Sequence, residues 1–183
     1  MVNPYDELLL ETDRFKVVRR AQTLSDGNVR QRDVILHLGA VMLLPLLPDG
    51  RVCLIRNYRV AVQQTLIELP AGTIDPGETP LETAGRELIE ETGYRAGRLE
   101  PFCQFLMSPG ILNERMQMFV ATDLTAGEQS LEAGEQIERL IVTWDQALSM
   151  VDDGRIQDAK TIVGLLTYAR RGTSGESGMG SGE

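Results

Sequence analysis

Between Gly72 and Tyr94 the chain reads GTIDPGETPLETAGRELIEETGY, which holds five glutamates, Glu78, Glu82, Glu87, Glu90 and Glu91, and one cation, Arg86. If the segment is helical, Glu87, Glu90 and Glu91 stand at i, i+3 and i+4, which brings three carboxylates to one face. Like charges at that spacing cost about 0.2–0.5 kcal/mol per pair in an isolated helix, and no lysine is interleaved to offset them. Taken alone, such a run reads as a solvated acidic face. A hard divalent cation gives the spacing a purpose. Mg²⁺, with Mn²⁺ as a substitute, takes oxygen ligands, combines one or two carboxylates with substrate phosphates and keeps several waters, so the pattern suits a metal site for phosphate chemistry.

The flanking residues supply the element that must carry those carboxylates. Asp75-Pro-Gly77 is a turn signal, good helix formers follow from Thr79, and Gly93 stands where a helix-ending glycine belongs. Leu81, Ala84 and Leu88 form an apolar stripe beside the acidic face. The segment resembles the Nudix box, G-x5-E-x7-R-E-U-x-E-E-x-G-U with U a bulky apolar residue. The match runs through Gly72, Glu78, Arg86, Glu87, Leu88, Glu90, Glu91, Gly93 and Tyr94, with an aromatic at the last position where an aliphatic residue is usual. Its seven invariant letters would fall in register by chance roughly once in 10⁸ start positions.

That resemblance implies an α+β fold, a Nudix-type α/β/α sandwich around a mixed sheet, over residues 35 to 170 or so. It implies metal ions on Glu87, Glu90, Glu91 and the Ala71 carbonyl, with Arg86 orienting carboxylates by salt bridging; Glu90 and Arg86 join the catalytic set. The longer run Glu68 to Glu78, ELPAGTIDPGE, is similar to the form found in ADP-ribose pyrophosphatases and related nucleoside-diphosphate-sugar hydrolases. In that subgroup an arginine matching Arg59 lies near the phosphates, and a proline matching Pro109 follows the box. A loop glutamate outside the box is its catalytic base. Glu135 in Gly134-Glu-Gln-Ile-Glu138 matches it best, with Glu132 and Glu138 as alternatives. The implied reaction splits ADP-ribose into AMP and ribose 5-phosphate. GDP-mannose is the rival substrate, because Met107 to Gly110 and Asp158 to Thr161 also look like that branch. A non-catalytic nucleotide-binding module of the same fold is the third reading, and the intact box argues against it.

Arginines add to this on chemical grounds. Arg56 and Arg59, just ahead of the acidic helix, can neutralise diphosphate oxygens through planar guanidinium groups. Glu114, in Asn113-Glu-Arg115 after the Ser108-Pro-Gly110 turn, completes the substrate-binding candidates. The only histidine, His37, has no second histidine or cysteine near it and reads as structural rather than as a ligand.

The remaining segments read as scaffold. Phe15 to Val18 and Val34 to Leu36, around a turn at Ser25 to Asn28, predict an N-terminal hairpin. The apolar run His37 to Leu47 predicts a buried central strand that turns at Pro48-Asp-Gly50 into an antiparallel partner, Arg51 to Ile55. Strands follow at Cys103–Met107, Met116–Ala121 and Leu140–Trp144, with an irregular acidic loop at 125–134. Helices are expected at Trp144–Val151 and Asp158–Arg171. Three regions result: 1–35 as an N-terminal extension for dimerisation, 36–171 as the catalytic domain, and 172–183 as a disordered Gly/Ser/Glu tail.

Composition bounds the partners. At 183 residues, 42% hydrophobic and 25% charged, the chain has the length of one domain with a real core. A formal net charge of −9 excludes a protein that grips nucleic acid by its phosphates. Cys53 and Cys103, widely separated and without CxxC spacing, read as free thiols. No apolar stretch reaches the ~18 residues that span a bilayer, and the first residues lack a basic region leading an apolar run, so no membrane partner and a cytoplasmic location are expected. A homodimer is expected as well, since an N-terminal hairpin has strand edges to cover and the subgroup's enzymes are commonly N-terminally exchanged dimers.

Overall fold

The computed structural model describes residues 5–131 and 134–175. It begins with an antiparallel sheet of three strands in chain order, β1 (Glu7–Glu11), β2 (Phe15–Thr23) and β3 (Val29–His37). The expected hairpin is the β2–β3 half, closed where the Leu24 N–H donates to the Asn28 carbonyl at 2.8 Å. Strand β1 escapes a sequence reading because Leu8, Leu9 and Leu10 are consecutive and show no alternation; every residue of the strand is exposed. Hydrogen bonds tie the end of β3 to the segment around Ile111 and Asn113. The Ile35 N–H donates to the Ile111 carbonyl at 2.8 Å, the Asn113 N–H to the Ile35 carbonyl at 3.2 Å, and the His37 N–H to the Asn113 side chain at 2.7 Å.

After β3 come β4 (Ala40–Pro45), β5 (Val52–Arg59), β6 (Gln64–Glu68), β7 (Ala71–Thr73), α1 (Pro80–Thr92), β8 (Arg95–Leu106), β9 (Arg115–Thr125), β10 (Ile137–Val142), α2 (Trp144–Asp152) and α3 (Ala159–Gly175). The run expected as one strand from His37 is broken at Gly39, whose φ of +103° ends β3 and redirects the chain into β4. His37 serves that bend, its Nδ1 accepting the Gly39 N–H at 3.1 Å. The expected β4–β5 hairpin is also corrected. Apart from one bridge, Leu46 to Val52, the two strands lie in different sheets, β4 in the order β7-β4-β9-β8 and β5 in the order β10-β5-β6. Strand β4 is buried along its whole length and β5 over Val52 to Ile55, so both read as buried runs although each has its partners in a different sheet.

The first of these sheets is mixed, since β4 runs parallel to β9 and antiparallel to β7. Alternation along β4 divides the core into two. Val41 and Leu43 pack with Ala84 and Leu88 of α1, whereas Met42 and Leu44 pack with Leu165 of α3, Ile156, and Val52 and Leu54 of β5. The two helices therefore cover opposite faces of β4, as the α+β sandwich requires. Strand β8 is longer than its readable part because it is an edge strand, exposed at most positions and irregular between Pro101 and Cys103. Helix α3 continues four residues beyond Arg171, into the stretch expected as tail; residues 176–183 lie outside the described residues. Both cysteines are free, and burial pushes the Cys53 thiol up to about 12. Among the described residues no helix is long and apolar enough to cross a membrane.

Candidate active site

Helix α1 starts on a capping box. The Thr79 hydroxyl accepts the Glu82 N–H, Glu82 Oε2 accepts the Thr79 N–H at 2.8 Å, and Pro80 occupies the first turn, where its missing donor costs nothing. Glu82 is thereby a structural residue. The helix ends at Gly93, left-handed at φ +72°. Between these caps Arg86 collects the acidic face. Its Nε and Nη2 bind Glu78 Oε1 and Oε2, both at 3.0 Å, and its Nη1 bridges Glu87 and Glu90, both at 2.8 Å. These bonds, with one from Thr83, hold the Glu78 carboxyl down at about 2 and raise the Arg86 guanidinium further.

The backbone ahead of the helix closes over Glu91 and Glu87. Glu91, 3% exposed, accepts the Ala71 N–H at 2.8 Å, and Glu87 lies so close to Gly72 that a Cβ there would fall 1.9 Å from its Oε1. Burial raises Glu91 to about 8, reinforced by Glu87 and Glu135; burial likewise raises Glu87 to about 7, against the pull of Arg86.

Opposite them stands a network built on Glu68, 1% exposed at the end of β6. Arg59 binds it in a fork, Nε to Oε1 at 2.8 Å and Nη2 to Oε2 at 2.6 Å, and Lys160 Nζ reaches Oε2 at 2.5 Å. Lys160 also bonds Asp158 Oδ1 at 2.9 Å. Asp158 Oδ2 accepts the Thr161 N–H and hydroxyl, and the Thr161 oxygen accepts the Leu69 N–H at 2.8 Å. Burial alone would raise Glu68, but the Arg59 fork and the Lys160 charge outweigh it and leave the carboxyl below its ordinary value. Removing one partner from such a buried set costs about 3–5 kcal/mol. Glu68→Gln is accordingly expected to lower the unfolding free energy by about that amount in urea denaturation. A loss under about 1 kcal/mol would mean that water satisfies Arg59 and Lys160 without it.

One cavity of about 410 Å³ joins the two halves. Ala71, Arg86, Glu87, Glu90 and Glu91 line it from one side, and Arg59, Lys160, Glu135 and Glu114 line it as well. Glu114 lies 3.8 Å from His37 Nδ1. Of the residues read from the sequence, Arg56 does not arrive. It is three positions from Arg59 on β5, an odd interval, so it faces the other side of the strand and is exposed. Glu138 is exposed on β10 and outside the cavity, and Glu132 lies outside the described residues. Lys160, Glu68, Asp13 and Arg14 were not read. Glu68 had a usable signal, a charge inside the apolar run Leu66-Ile-Glu-Leu-Pro, which demands buried partners. Asp13 and Arg14 come from the β1–β2 turn, which nothing local connects to the site.

The donor set fits a hard cation. Its side-chain oxygens are those of Glu87 and Glu91, both raised by burial, and of Glu90, bound like Glu87 to Arg86, with no sulfur or imidazole among them. Among the described residues, though, no three acidic, cysteine or histidine side chains stand close enough to enclose an ion as placed, and Arg86 holds Glu87 and Glu90. A pH dependence follows. Glu87 and Glu91 are raised from 4.5 in the folded chain, so between pH 4.5 and about 8 the folded state binds more protons than the unfolded one. Their contribution to stability is complete below 4.5 and is lost as pH rises through 7 to 8. In chelator, the melting temperature is expected to fall between pH 6 and 9, and added Mg²⁺ is expected to restore more at pH 9 than at pH 6, since it binds the ionised carboxyls. A chelated protein whose melting temperature stays flat over that range would contradict the burial of these groups.

A mixed-sheet sandwich that sets an acidic helix against an arginine–lysine pair across one cavity is the frame of a phosphate-bond hydrolase. The chain belongs to the Nudix family, whose NUDIX domain model matches residues 36–163, and it is a pyrophosphohydrolase. It is 36% identical over 140 residues to an ADP-ribose pyrophosphatase of Bacillus subtilis, covering 75% of this chain and 76% of that protein. It is 32% identical over 176 residues to a GDP-mannose pyrophosphatase of Yersinia enterocolitica, covering 88% and 91%. A crystal structure described as an ADP compounds hydrolase superimposes with a TM-score of 0.78 at 25% identity, covering 93% of this chain and 94% of the other.

Proposed function

We propose that the chain hydrolyses the diphosphate bond of ADP-ribose to AMP and ribose 5-phosphate, using Mg²⁺, with Mn²⁺ as a substitute. The observation that carries this is the single cavity in which an oxygen-only acidic set faces Arg59 and Lys160 with Glu135 beside them. The similarity to ADP-ribose pyrophosphatases and to an ADP compounds hydrolase supports the choice of nucleotide. A diphosphate resists hydrolysis because its oxygens repel a nucleophile, so its charge must be met and a water placed in line. Ala71, Glu87, Glu90 and Glu91 would hold the ion, which when bound neutralises phosphate charge and acidifies water. Arg59, braced by Glu68, meets the remaining phosphate charge; Arg86 holds Glu87 and Glu90 in place. Glu135 accepts the proton of the attacking water.

A second reading, GDP-mannose as substrate, is favoured by the Yersinia relative, which aligns with 88% of this chain. A panel of nucleoside-diphosphate sugars with product identification decides between them: ADP-ribose should give the highest kcat/KM and yield AMP, and a GDP-mannose preference would overturn the primary reading. The working unit is proposed as a cytoplasmic homodimer built through the three-stranded N-terminal sheet. Its support is the exposure of Leu8, Leu9 and Leu10 on β1, an edge strand among the described residues. Light scattering should show a dimer that dissociates, with weakened nucleotide binding, when residues 1–35 are removed; a fully active monomer would end the proposal.

A further inference from the structure

Helix α1 ends inside the protein, and its last carbonyls find donors in the loop that follows β9 and on β10. The Gly93 N–H closes onto Ile89 at 2.7 Å, but beyond it the Ser130 N–H donates to the Glu90 carbonyl at 3.1 Å, and Arg139 Nη1 to the Thr92 carbonyl at 3.2 Å. Between them, Gln129 Nε2 donates to the Glu91 carbonyl at 2.6 Å. The loop comes this near because two glycines meet. A Cβ on Gly93 would lie 2.5 Å from the Gly127 carbonyl oxygen, and one on Gly127 would lie 2.8 Å from the Gly93 oxygen. The same Gln129 nitrogen is 3.4 Å from the carbonyl of Ile137, the first residue of β10 and the second after Glu135. Ile137 is itself buried and paired to Asn57 of β5. One carboxamide, with two hydrogens to give, thus links the main chain of a buried cavity carboxylate to the main chain that leads away from Glu135.

We infer that Gln129 is a positioning residue for Glu135, fixing the entry to β10 against the end of α1 so that the Glu135 carboxylate stays over the cavity. The inference rests on the reading of Glu135 as the proton acceptor. Neither Gln129 nor Gly127 lines the cavity, so neither touches substrate. Positioning of the proton acceptor sets the signature: kcat should fall while KM for ADP-ribose and the half-saturating Mg²⁺ concentration hold, whereas a role exerted through the Glu91 main chain would shift the Mg²⁺ dependence instead.

The test uses the full chain with Mg²⁺ and ADP-ribose. Gln129→Met keeps the length of the side chain and removes both N–H donors; Gly127→Ala pushes the loop off the helix end by a separate route. Each is expected to lower kcat by about ten- to a hundredfold with KM and Mg²⁺ dependence changed less than about twofold. In a Glu135→Gln background, Gln129→Met is expected to add less than about twofold, because the group it positions is already gone. Full multiplication of the two losses, or a wild-type kcat in both Gln129→Met and Gly127→Ala, would overturn the inference and leave the role of Glu135 standing. A wild-type kcat in Glu135→Gln alone would show instead that the base is misassigned, and the inference would fall with it. Should Gln129→Met not fold, Gly127→Ala takes its place in the same cycle.

Discussion

Glu91→Gln is expected to remove most Mg²⁺-dependent turnover and to make the chelated protein no less stable. The two effects have one origin. Glu91 is 3% exposed, and burial raises its carboxyl to about 8, so its charge is a burden to the folded chain when no cation shares the site. Glutamine keeps the volume, and its oxygen still accepts the Ala71 N–H that Glu91 accepts at 2.8 Å. What disappears is the charge that a cation needs, with several kcal/mol of transition-state stabilisation, or roughly 10²–10⁴-fold in kcat. Turnover measured up to saturating Mg²⁺, beside thermal melts in chelator, reads both halves. Near-wild-type kcat at saturating Mg²⁺ would sink the metal-site reading; a collapse of the chelated melt would show that Glu91 is structural.

Gly72→Ala carries the second large effect. Gly72 does not have a positive φ, so its backbone accepts alanine, but the new Cβ would lie 1.9 Å from Glu87 Oε1 and 2.0 Å from its Cδ. The obstacle is the far end of a flexible side chain. Glu87 can therefore swing away at a cost to stability of about 1 kcal/mol or less, while the carboxylate leaves the cavity. A fall in kcat of about a hundredfold with an almost unchanged melt is the expected outcome. The variant also has an internal control. With Glu87→Ala already present the three atoms nearest to the added methyl are gone, so Gly72→Ala should then cost little more. Equal losses in both backgrounds would locate the damage in the backbone of β7 instead.

The contrast between these two residues explains how much of the site could be read beforehand. Glu87, Glu90 and Glu91 were legible because a helix turns linear spacing into a face, and the caps at Thr79 and Gly93 bound that helix from local residues alone. The closeness of Gly72 to Glu87 is a tertiary fact that no spacing encodes. The same distinction runs through the fold. The β2–β3 turn and helix α2 came from local signals, whereas the partition of β4 and β5 between two sheets depends on which strand each meets, and both read equally as buried runs. Arg56 shows the limit of composition as a guide. Two arginines three apart looked equivalent until strand parity sent one to the cavity and the other to solvent. Glu135 was found through the resemblance, and Gln129 through the structure, since a glutamine in an acidic loop carries no mark of what it holds.

The bond between Glu68 and Lys160 spans 92 positions of the chain, whereas Ala71 and Glu91 are 20 apart. During synthesis, which runs from the N-terminus, Arg59 and the acidic residues of α1 are therefore in the chain long before Lys160. Until the first turn of α3 emerges, Glu68 lacks one of its two cations and the Leu69 N–H lacks the Thr161 oxygen that satisfies it. A chain that stops short of Lys160 therefore carries the glutamates of α1 yet lacks both the second cation on Glu68 and the acceptor for the Leu69 N–H.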